Sequence, residues 1–249
     1  MKKPDASGSM SFLDHLEELR RRLLVCLVAI GAAFVVCYVF SGPILRFLLR
    51  PLQENIFQGG EIVYINLTEP FLIYMKAAFF GAIFLASPVI FFEIWQFIAP
   101  GLHPQEKRWA LPFLLGGPLL FVAGAGFAYL FLLPMTARFL VAMGEGYTAA
   151  ITLRSAFTFE FYFLIGMGVV FQLPMVVLVL ARIGVVTPRF LIRNFRWAIL
   201  IIFVVAAVLT PTPDVVTQTV FAAPMVVLYL VSIVLAFFAA PARRKESGR

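Results

Sequence analysis

Charged side chains are scarce in this sequence: 13% of its 249 residues are Asp, Glu, Lys or Arg, against 62% apolar, and mean hydropathy is +0.97. So little charge excludes an ordinary soluble domain. There are two cysteines, Cys26 and Cys37, in one apolar run. Eleven residues of helix separate them by about 16 Å, too far to pair, and no zinc or haem spacing is present. Both read as small apolar fillers, and no metal site is expected. A phosphate-cradling glycine loop ending in Lys-Ser or Lys-Thr, His-Glu-x-x-His and Gly-x-Ser-x-Gly are all missing. These absences argue against an ATPase or a protease of familiar type. No catalytic residue and no cofactor is assigned.

What is present is length of apolar run. Stretches near or above about 20 residues match a hydrocarbon core about 30 Å thick, where only helices or closed barrels satisfy the backbone. Continuous rather than alternating runs indicate helices. The expected fold is an all-α polytopic membrane protein, a single transmembrane domain over 1–249, with six spans near 23–40, 71–97, 109–133, 156–180, 197–209 and 216–239. The fifth rises only about 20 Å and requires a thinned bilayer or shelter beside another helix. With the N-terminus inside, fifteen Lys and Arg fall on that side and five on the other, so both termini are expected in the cytoplasm. The net charge of +7 then concerns orientation and membrane lipid, not nucleic acid.

Residues 1–10 read as a disordered tail, 11–22 as a cytoplasmic amphipathic helix lying on the membrane, 41–70 as a structured extracytoplasmic cap, and 241–249 as a basic tail. Pro88, Pro112, Pro118, Pro174 and Pro224 should bend their spans. Between the second and third spans the polar break runs from Phe97 through Pro100 and Pro104 to Arg108. Glu106 there is either a first-turn carboxylate favoured by the helix dipole or a receptor for a cationic ligand. Glu18 reads as an i,i+4 partner of Arg22. Asp214 reads foremost as a helix cap, with Gln218 one turn on. Gln172 either faces the concave side of the bundle or bonds carbonyls freed by Pro174. Glu93 sits near enough to the cytoplasmic interface to be solvated, and Glu160 lies near the extracytoplasmic end of its apolar run.

The segment SFLDHLEELRRRL at 11–23 resembles the N-terminal signature of the twin-arginine translocase TatC family. PVI at 88–90, WQFIAPGL at 95–102 and EKR at 106–108 are similar to that family's first cytoplasmic loop, and LTPTPDV at 209–215 with Gln218 to its last periplasmic turn. The resemblance implies a curved, glove-shaped six-helix bundle in the inner membrane of a prokaryote. It implies a receptor, not an enzyme, that binds the Arg-Arg signal peptides of folded cargo proteins for export driven by the proton-motive force. Single-span TatA-type and TatB-type subunits would be its partners, with multiple copies in the receptor complex. By position, Glu18, Phe97 and Glu106 match the residues expected to contact signal peptide, while Gln172 stands where the family often has glutamate. Gln172, Asp214 and Gln218 are candidates for contact with partner subunits. Glu93 and Glu160 match no part of the pattern. The competing reading is a proton-coupled solute transporter using Glu93 or Glu160.

Overall fold

The computed structural model describes residues 12–56, 62–98, 110–144, 150–210 and 214–239. The tails at 1–10 and 241–249, Glu106, and the prolines at 211 and 213 lie outside the described residues.

The first element, α1 (Phe12–Val39), is one unbroken helix. The helix expected over 11–22 runs without a break into the first span. Leu19 to Leu24 is a run of Leu and Arg, strong helix formers with neither Gly nor Pro to stop propagation. Helix α2 (Ser41–Ile56) follows at once and supplies the first part of the expected cap. Its second part is tied down by an isolated bridge in which Val63 N–H donates to Ile151 and Leu153 N–H donates to Val63, at 3.1 and 2.8 Å. The Glu69 carboxylate accepts from the N–H groups of Ile65 and Arg154, joining the cap to the starts of the second and fourth spans.

Helix α3 (Glu69–Ile98) stays helical through Pro88. The proline cannot bond the carbonyl of Phe84, and the Ser87 hydroxyl donates to that oxygen instead, at 2.7 Å. The small residues Ala33, Cys37, Ala78, Ala82 and Ala86 form the buried seam between α1 and α3, which lets the two backbones approach closely.

Helix α4 (Ala110–Phe127) does not stop at Leu133, where the third span was expected to end. It passes through a π-helical segment, Ala128–Leu132, into α5 (Leu133–Met143). Pro134 cannot donate, and the wider turn, with Leu133 N–H reaching back to Ala128, absorbs the fault and carries the helix on. The fourth span is instead divided: α6 (Leu153–Val170) and α7 (Leu173–Arg182) meet at a turn over Phe171 and Gln172, with Pro174 in the first turn of α7.

After the short α8 (Pro188–Arg193) comes α9 (Phe195–Leu209), then α10 (Val215–Ala239). Five stretches are long and apolar enough to cross a membrane, counting α4 with α5 and α6 with α7 as one each. The sixth apolar helix, α9, has 15 residues and rises about 22 Å, short of the hydrocarbon core as its sequence indicated. The core lies between α4, α6 and α10 around Phe163, Met167 and Phe221. Here glycines set the spacing: a Cβ on Gly124 would stand 2.5 Å from the carbonyl oxygen of Met167, and one on Gly168 2.7 Å from the Phe121 ring.

Candidate functional site

One polar cluster joins the beginning of α1 to the end of α3. Arg22 donates through Nε and a terminal nitrogen to Oε1 of Glu18, one turn earlier. Its other terminal nitrogen donates to Glu93 Oε2 and Gln96 Oε1, both at 3.1 Å. Arg22, Glu18 and Glu93 are 17, 18 and 13% exposed, so the pairs are substantially desolvated. Glu93, expected to be solvated at the interface, is corrected to a partner in this network. Beside it, His15 stacks on Phe97 with ring centroids 4.5 Å apart. Trp95, buried against Phe113 and Met175, holds the end of α3 from behind.

The i,i+4 reading of Glu18 is thus present but incomplete. Glu18 Oε2 accepts no hydrogen bond among the described residues, although it is buried. A desolvated acceptor without a donor is costly, and a guanidinium or ammonium group brought to it would be bound strongly. Sequence reasoning missed Glu93 and Gln96 as neighbours of this site. The signal was available in their spacing from Phe97, since 93, 96 and 97 share one helix face.

The remaining candidates lie elsewhere. Gln172 Nε2 donates to the carbonyl of Gly117 on α4 at 3.0 Å. It therefore bonds a carbonyl of a neighbouring helix, not one freed by Pro174, while its Oε1 is buried without a partner among the described residues. Asp214 Oδ1 accepts from Thr217 N–H at 2.6 Å and caps α10, as its position indicated. Gln218 Nε2 donates to the carbonyl of Phe203, tying α10 to α9. Glu160 is 1% exposed on α6, and neither of its oxygens accepts a hydrogen bond among the described residues.

Residues 14–224 match the family model for the Sec-independent protein translocase protein TatC. The chain belongs to the TatC family. A TatC relative from Koribacter versatilis (strain Ellin345) is 40% identical over 245 residues, covering 97% of this chain and 90% of its own length. Another, from Carboxydothermus hydrogenoformans, is 38% identical and covers 93% and 95%. The fold is similar to a crystal structure of the twin arginine translocase receptor TatC, with TM-score 0.79 and 34% identity over 90% of this chain and 99% of that one. Membership in TatC makes the protein an inner-membrane transport component rather than an enzyme. It also sets aside the solute-transporter reading, whose candidate Glu93 is held by Arg22.

Proposed function

We propose that this chain is the core receptor component of a twin-arginine translocase. It binds Arg-Arg signal peptides of folded proteins and organises single-span TatA-type and TatB-type subunits, in several copies, for export driven by the proton-motive force. The N- and C-termini face the cytoplasm, on the side where Lys and Arg concentrate.

The observation that carries this reading is the packing of α1 on α3, which sets Glu18, with one oxygen unpartnered among the described residues, beside the His15–Phe97 stack. Arg22 already occupies the other oxygen, so the pocket accepts a guanidinium geometry by construction. Glu106, in the chain beyond α3, supplies the second carboxylate. Each charge-assisted bond to such a carboxylate contributes about 1.5–3 kcal/mol, and the planar fork of Arg, unlike the point charge of Lys, can be held at two points.

The test is a binding titration of Arg-Arg and Lys-Lys signal peptides to the purified protein in membranes. Glu106→Gln should weaken the Arg-Arg peptide about tenfold or more, and the Lys-Lys peptide much less. Equal loss for both would mean general electrostatics alone. Phe97→Ala should also weaken binding, through lost apolar contact and the lost His15 stack, and unchanged affinity would remove Phe97 from the site.

A further inference from the structure

An apolar cavity of about 450 Å³ opens between α2, α3, α4 with its π-helical extension, and α6, with Phe80, Phe84 and Leu164 in its walls. Phe47 and Leu130 stand on its rim at 59 and 64% exposure, so it faces the lipid. A second cavity of about 380 Å³ shares Phe47, Tyr129 and Leu130 with the first, and carries Arg50, Glu54 and Arg138. The dividing wall is rigid: Tyr129 stacks on Phe47 at 4.7 Å and donates its hydroxyl hydrogen to the Phe47 carbonyl. An apolar chamber thus continues into a cationic one, near the end of the bundle where α1 gives way to α2.

We propose that the two cavities form one site for an anionic phospholipid, an acyl chain lying in the apolar chamber and the phosphate against Arg50 and Arg138. Charge favours this occupant. Arg50 and Arg138 line the second cavity with Glu54 the one carboxylate among its lining residues, and Arg50 donates one of its five N–H groups to Glu54, at 2.6 Å. Shape disfavours a partner helix. With side chains a helix is about 10–12 Å across, and 450 Å³ would admit only about one turn of it, whereas a slender chain fits throughout. The volume also lies within the range of about 300–1,000 Å³ found for small-molecule sites. Gly126 lines the chamber, and a Cβ there would meet nothing within 4 Å, so room is left on the protein's side without strain.

The experiment is native mass spectrometry of the full chain released from detergent, with phosphatidylglycerol or phosphatidylcholine of identical acyl chains added. The wild type should keep one phosphatidylglycerol at energies that strip phosphatidylcholine. Arg138→Gln should reduce that preference several-fold, and Glu54→Gln should increase it. Gly126→Leu should abolish retention by filling the chamber, and Val122→Trp, on the exposed rim, blocks the same mouth should the first variant fold poorly. Equal retention of both lipids in every variant would reduce the site to part of the ordinary lipid annulus and overturn the proposal. So would full displacement by free glycerol phosphate, which would mark a headgroup-only anion site, or exclusion of lipid by a single-span subunit crosslinked at Gly126.

Discussion

Gln172 shows how much one side chain's role depends on its neighbour. One N–H of its amide donates to the carbonyl of Gly117 on α4, and its carbonyl oxygen is buried without a donor among the described residues. A buried acceptor left unmet costs about 1–3 kcal/mol, so a hydrogen-bond donor on an incoming single-span helix would find a prepared partner. Export of a folded Arg-Arg reporter should therefore fall sharply in Gln172→Leu and persist in Gln172→Glu, which still offers an acceptor. Full export by Gln172→Leu would confine the residue to joining the turn between α6 and α7 to α4. The same scale explains why Glu93 was misjudged from sequence. An acid four residues before Phe97 looks solvated until the partner helix brings Arg22, 71 residues earlier in the chain, to 3.1 Å.

Among the elements, α4 and α6 pack closely, and two glycines on α4 meet opposite surroundings. Gly124 faces the Met167 carbonyl and the Phe171 ring, whereas Gly126 faces open space. Gly124→Ala should force the helices apart and cost about 1–3 kcal/mol, while Gly126→Ala should be neutral or slightly stabilising, since it removes helix-breaking backbone freedom without a clash. Melting of the two variants in detergent, followed by size-exclusion fluorescence, checks the contrast; similar melting temperatures would contradict it. Prolines teach a related lesson. Pro88, Pro134 and Pro174 are equivalent as letters, yet one is repaired by a serine hydroxyl, one by a π turn, and one begins a new helix.

At the scale of the molecule, the short α9 leaves a face that the single-span partners proposed above would fit. A helix rising about 22 Å leaves the bilayer thinned or the bundle incomplete beside it, and only Ile202 and Ala206 are buried along its length. Its outer face presents Trp197, Leu200, Ile201, Val204 and Val208, all more than half exposed. Cysteines placed singly along α9 should crosslink to a TatB-type subunit with a period near 3.6 residues. Uniformly absent crosslinks in well-folded protein would exclude this face as the docking surface.

Sequence alone determined the class, the apolar helices and the shortness of the one at Phe195–Leu209, because run length and hydropathy are local properties that a bilayer reads directly. It also determined the Asp214 cap, whose donor lies only three residues away. Long motifs at 11–23, 95–102 and 209–215 carried the family in the same local way. Tertiary structure decided where the helices truly begin, break and continue, since a proline's effect depends on which group replaces its lost hydrogen bond. It alone joined Arg22 to Glu93, aimed Gln172 at Gly117, and set Arg50 and Arg138 at the mouth of an apolar chamber. Those are contacts between residues far apart in the chain, and no periodicity within one helix encodes which face another helix will cover.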